Sequence, residues 1–159
     1  MRLLSMDLLL VLNIHGKINS PSAVRQALKE LKVEKKFSAS VVTNDAATVG
    51  MLRLCKDYVA WAPINGELLA TLLEKRGMVS TYTKLDASAL SEMGFKDFAG
   101  LANKMMSEHL RLSQIRGVRP FFRLAPPKGG FKSSLRRQFS EKGTLGMNPN
   151  LSDLIRRMI

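Results

Sequence analysis

The feature that most constrains this chain is the order in which its apolar periodicity changes over residues 8–64, because strand and helix spacing alternate. "LLLVLNIH", from Leu8 to His15, is an unbroken apolar run of strand length, suited to a central strand with both faces covered, or one covered and one shielded. A helix over roughly residues 21–32 should follow. Ser20 can accept a bond from an early helical amide, Pro21 needs no amide partner at the first position, and Val24, Ala27, Leu28 and Leu31 recur at helical spacing. "FSASVVT" then sets Phe37, Ala39 and Val41 against Ser38 and Ser40, a strand period with one face buried. Asn44 and Asp45 offer the next cap, and Ala47, Met51, Leu54 and Cys55 share a helical stripe. "YVAWAPI" resumes strand character at Tyr58 and ends at Pro63.

This β-α-β-α-β order favours an α+β fold with a ferredoxin-like core over residues 1–64, both helices packing on one side of an open sheet. Residues 65–115 read as a mostly helical extension. Leu68, Leu69, Leu72 and Leu73 share one face there, with Gly77 as the stop, and a second helix after Asp97 carries Phe98, Leu101, Ala102 and Met105. Residues 116–159 form a basic tail: "VRPFFRL" has strand character and "APPKGG" must turn. Residues 132–149 are rich in Gly, Ser, Lys and Arg, and are expected to bury too little to hold a shape of their own. Asn150 caps a last helix whose Leu151, Leu154, Ile155 and Met158 should dock it. No internal repeat is present.

Charge narrows the function. The chain has 25 Lys+Arg against 13 Asp+Glu, a net +12 with a pI near 10.3, which implies a polyanionic partner. Residues 61–115 are balanced at 6 basic and 6 acidic, whereas residues 116–159 hold 10 and 2. Attachment to an anionic membrane would need a long basic amphipathic helix, and the pattern contains none. The apolar stretch from Leu3 to Ile14 is broken by Asp7, lacks a small-residue cleavage site and is too short to span a bilayer; Met6 is an alternative translation start.

Catalytic chemistry finds little to work with. Cys55, His15 and His109 are the reactive candidates, but Cys55 lies on an apolar stripe and His15 ends an apolar strand, where a hydrogen-bonded role is commoner. One cysteine and two distant histidines make no metal set, and "GKINSPS" lacks the spacing of a phosphate loop. No catalytic residue, cofactor, metal or small-molecule substrate is expected.

Nucleic-acid binding has a firmer chemical basis, since Arg and Lys pair with phosphates and glycine lets backbone amides approach them. The candidate RNA-binding residues are Arg116, Arg119, Arg123, Lys128, Gly129, Gly130, Lys132, Arg136, Arg137 and Lys142 in the tail, with Lys17 and Arg53 in the core. Phe121, Phe122 and Phe131 are interleaved with them and suit stacking on splayed bases, although alternation sends at most one of Phe121 and Phe122 to a given face. "YVAWAPI" does not match the aromatic pattern of sheet-based single-strand RNA modules, so Trp61 is assigned to the core.

"YVAWAPIN" with "LLEKRG", "FRLAPPKGGFK" and "LIRRMI", in this order and spacing, resemble the L-thirty family of large-subunit ribosomal proteins in its longer archaeal and eukaryotic form. "SPSAV" and "VVTNDAATVGML" look like the part shared with the shorter bacterial form. The resemblance implies an antiparallel sheet related to the ferredoxin-like fold, an added helical region, and a structural role on large-subunit rRNA close to 5S rRNA, among neighbouring ribosomal proteins in the cytoplasmic ribosome. "FKSSLRRQFSEKGTLGMNPN" departs from the family's usual Gly- and charge-rich tail, so contacts carry over least securely there. A free RNA chaperone or assembly factor is the competing reading, with a small enzyme on the same scaffold as a third.

Overall fold

The computed structural model describes residues 7–159, so the suggested start at Met6 lies outside the described residues. Strand β1 (Leu8–Asn13) is buried at all six positions and pairs antiparallel with β2 (Ser38–Thr43) on one side and β3 (Val59–Pro63) on the other. Strand alternation sends Leu8, Leu10 and Leu12 into one core cluster and Leu9 and Val11 into another. The apolar run is continuous because both faces are packed.

Helices α1 (Ser22–Glu30) and α2 (Ala46–Leu54) cover the Leu9–Val11 face together, as the pattern predicts. The opposite face is covered too. Helices α3 (Gly66–Arg76), α4 (Ala87–Glu92), α5 (Phe98–Glu108) and α6 (Leu151–Met158) deliver Leu68, Leu69, Leu72, Leu73, Leu90, Leu101, Met105, Leu154 and Ile155 to it. Each fully buried leucine contributes about 1.5–3 kcal/mol relative to exposure, so this second layer is a large part of the fold. The sheet is closed on both faces, not open.

The last 44 residues are woven into that sheet, whose strand order is β4-β2-β1-β3-β6-β5. Strand β4 (Phe122–Arg123) pairs antiparallel with β2 at one edge. At the other edge β6 (Gly143–Met147) runs parallel to β3, and β5 (Ser134–Gln138) parallel to β6. Between the edges the chain crosses the end of the sheet where β1 leaves and β2 begins. There the Leu124 amide donates to the Phe37 carbonyl at 3.0 Å, Phe131 stacks on Phe37 with ring centres 6.0 Å apart, and His15 donates through Nε2 to the Leu135 carbonyl at 2.5 Å. We call residues 116–149 the strap.

Several sequence expectations need correction. Residues 143–146 are buried, so the segment 132–149 is ordered by backbone pairing to β3 despite its low apolar content. On α2 the buried positions are Thr48 and Leu52, followed by Cys55; Ala47 is exposed and Leu54 is 51% exposed. Ser38 and Ser40 are buried as well, their hydroxyls donating to the carbonyls of Lys35 and Pro120. Ser20 does not cap α1: its hydroxyl donates to the Lys17 carbonyl at 2.5 Å, and α1 ends before Lys32, whose φ of 64° is left-handed. Asn150 stands at the N-cap of α6 without a side-chain cap bond. Trp61 is only partly buried against the α1–α2 cluster. Helix α4, capped by the Asp86 carboxylate accepting from the Ala89 amide at 3.0 Å, was not anticipated.

Candidate nucleic-acid interface

The strap presents a glycine turn beside several cations. Pro126 and Pro127 stop regular structure, the Gly130 amide donates to the Pro127 carbonyl at 3.0 Å, and Gly129 and Gly130 take φ of +79° and +74°. Those angles favour glycine, and nothing lies within 4 Å of where a Cβ would sit at either residue, leaving room for a phosphate beside the backbone. Arg157 of α6 braces the turn. Its Nη1 donates to the Gly130 carbonyl at 2.8 Å and the Lys128 carbonyl at 3.3 Å, while the Lys128 amide donates to the Arg157 carbonyl at 3.0 Å. Arg123, Lys128 and Lys132 stand exposed along this stretch, and Lys36 lies over the Phe37 ring at 5.1 Å.

The remaining predicted residues divide. Arg136 and Arg137 are exposed on β5, and Lys142, at φ 63°, turns the chain into β6. Arg53, exposed near the end of α2, shares a cleft with Gln138 of β5. Arg119 joins a different group. It places its guanidinium 4.6 Å from the Phe121 ring centre and lines a cleft of about 340 Å³ with Lys29, Lys32 and Lys35. Those three lysines were missed because Glu30 and Glu34 offset them in a count along the chain; their shared spacing of three residues was the available signal. Lys17 is paired with Glu34 at 3.0 Å, and Arg116 lies in a separate groove with Glu92 and Lys104. Phe122 is fully buried; Phe121 lines the Lys29–Lys32–Lys35 cleft, and Phe131, engaged with Phe37, lines a second cleft with Lys132 and Arg157.

The groups first considered for catalysis lie apart and are engaged structurally. Cys55 is buried at the end of α2, its thiol pushed up to about 11 by burial, which disfavours the thiolate a nucleophile needs. His15 is bonded at the end of β1 and His109 closes α5 with φ 52°. Among the described residues no group of three or more His, Cys, Asp or Glu is placed to hold a metal, and no described helix is long and apolar enough to cross a membrane. Asp45 is similarly structural. Partial burial pulls its carboxyl upward, but the Thr48 amide and hydroxyl, the Thr43 hydroxyl and Arg111 outweigh that and hold it well below the usual carboxylate range. The Arg111 bond, at 2.6 Å, ties the segment after α5 to the start of α2.

An α+β sheet covered on both faces and edged by a cationic strap, with clefts that gather Lys, Arg and aromatic residues, has the surface chemistry of a structural protein suited to a polyanion. Comparison with known proteins specifies which. Residues 9–59 match the family model for ribosomal protein L30p/L7e. The chain is 37% identical over 150 residues to the large ribosomal subunit protein uL30 of Cenarchaeum symbiosum, covering 94% of this chain and 97% of that one. It is 34% identical over 156 residues to the uL30 of Nanoarchaeum equitans and 35% over 156 residues to that of Thermofilum pendens, covering 97% of this chain and 100% of each relative. The chain belongs to the ribosomal protein L30p/L7e family, a structural and non-enzymatic family.

Proposed function

We propose that this protein is a structural constituent of the large subunit of the cytoplasmic ribosome, where it binds ribosomal RNA through the strap and the adjoining lysines at and just after the end of α1. The observation that carries this reading is its match, over 97% of its length, to relatives that are themselves large-subunit proteins. The structure supplies a compatible surface: the last 44 residues hold 10 basic and 2 acidic groups, and their ordered turn leaves space beside the backbone for phosphate. Large-subunit rRNA is the main partner, with 5S rRNA nearby on the strength of the resemblance to the longer family form, and neighbouring ribosomal proteins complete the surroundings.

Sedimentation tests the proposal. The tagged protein should travel with purified large subunits and remain there after a moderate salt wash. Release by that wash, or presence only in immature particles, would instead identify an assembly factor or free RNA chaperone.

A further inference from the structure

Beside the strap's outer strand lies a second kind of site. A cleft of about 290 Å³ is lined by Arg53 from the end of α2, Lys56 from the turn after it, Trp61 from β3, Gln138, Phe139 and Ser140 from β5 and the turn after that, and Leu145 and Met147 from β6. That volume is at the lower end for ligand pockets, suited to one flat ring. Two cations and two aromatic rings contribute to the lining, and no carboxylate does. The nearby Asp57 carboxylate accepts from Gln138 Nε2 at 3.2 Å, and the same nitrogen donates to the Lys56 carbonyl at 2.9 Å, fixing one wall. Gly146 makes that wall possible, since a Cβ there would collide with the Gln138 side-chain oxygen. The floor is fixed too: Trp61 is in register with Met147, and its carbonyl accepts from the Asn148 amide at 3.0 Å. Yet Trp61 remains only partly buried, and Met147 is 50% exposed.

We propose that this cleft receives one unstacked RNA base, which packs against Trp61 and Phe139 while its flanking phosphates pair with Arg53 and Lys56. The proposal rests on the RNA-binding reading and deepens it, adding a base-stacking subsite to a surface otherwise suited to phosphate. An aromatic floor accepts any base through its π face, whereas cations without acids select a polyanionic strand over a protein loop.

Trp61 is the chain's one tryptophan, so its emission reports on this cleft alone. The full-length protein is titrated at low salt with RNA hexa-adenylate and with a sugar–phosphate oligomer of equal length lacking bases, while polarisation of labelled hexa-adenylate measures binding independently. Saturable quenching by hexa-adenylate and none by the abasic oligomer is expected. Arg53→Ala with Lys56→Ala should weaken binding about 10-fold and leave the quench at saturation unchanged. Trp61→Leu, with folding verified by circular dichroism, should weaken it roughly 5- to 150-fold, the equivalent of about 1–3 kcal/mol of stacking. Binding by polarisation without quenching, or equal quenching by the abasic oligomer, overturns the stacking site and leaves the RNA-binding reading standing. Absence of binding by either readout overturns both. Emission that ignores both hexa-adenylate and protein-free large-subunit rRNA but shifts when the protein enters whole subunits assigns the cleft to a protein neighbour and overturns the proposal.

Discussion

The helical cover over residues 65–115 and the strap that follows bury side chains in the same core cluster, yet they meet solvent in opposite ways. The cover is anchored by stripes: Leu68, Leu69, Leu72 and Leu73 on α3, and Leu101, Ala102 and Met105 on α5. Its charges balance at 6 and 6, with Glu67 and Glu74 offsetting Lys75 and Arg76. The strap is anchored by few residues, chiefly Phe122, Leu124 and Leu145, and by backbone pairing to β2 and β3. Backbone hydrogen bonds make no demand on side-chain type, so a segment held mainly by them is free to carry cations outward. The cover is built for packing, and the strap carries the outward charge that the proposed RNA binding needs.

The comparison breaks first at Phe122. If the strap is part of the core, Phe122→Ala should cost about 3–5 kcal/mol of folding stability, comparable to truncating a buried cover leucine such as Leu72 at about 2–5. Urea denaturation measures both; an unchanged midpoint for Phe122→Ala would mean the strap is a loose appendage. Cys55 is a control outside both regions, in the cluster on the other face of the sheet. Cys55→Ser should cost roughly 1–3 kcal/mol through a poorly paired buried hydroxyl and leave RNA affinity unchanged. The native thiol should resist thiol reagents near neutral pH and react once the protein is denatured.

A smaller effect tests how the cover is attached. Asp45→Ala removes the α2 cap bond to the Thr48 amide, 2.8 Å, and the partner of Arg111, and should lower stability by about 1 kcal/mol. Because the carboxyl's folded pKa lies below its ordinary value of 3.8, the stabilisation is fully present above that pH and is lost as pH falls below it. Thermal melts should therefore show the wild-type advantage over Asp45→Ala shrinking in acid; an advantage that grows in acid would reverse the assignment.

The same contrast explains what the sequence disclosed. Strands β1 to β3 and the stripes of α1, α3, α5 and α6 were legible because their periodicity is local. Strand β6 was not: Gly143 and Gly146 are buried but carry no apolar side chain, and the β3 residues that pair with Gly146 and Met147, Ala60 and Trp61, lie far away in sequence. The stripe on α2 was set out of phase because Thr48 takes a buried place, accepting from Arg111 at 3.3 Å, while apolar Leu54 faces out. The cations of the strap were visible as a charge excess, but their separation into a turn, an outer strand and the Lys29–Lys32–Lys35 cleft depends on which segments the sheet brings together.

The central claim, that the strap and not the cover faces RNA, is tested by binding at one fixed salt concentration, with circular dichroism confirming that each variant is folded. Arg123→Ala, Lys128→Ala, Lys132→Ala and Arg136→Ala combined should lower affinity for large-subunit rRNA by at least about 10-fold, since 1.4 kcal/mol is a modest sum for four lost phosphate contacts. Lys75→Ala with Arg76→Ala should change it far less. A larger loss in the cover variant than in the strap variant would contradict the account.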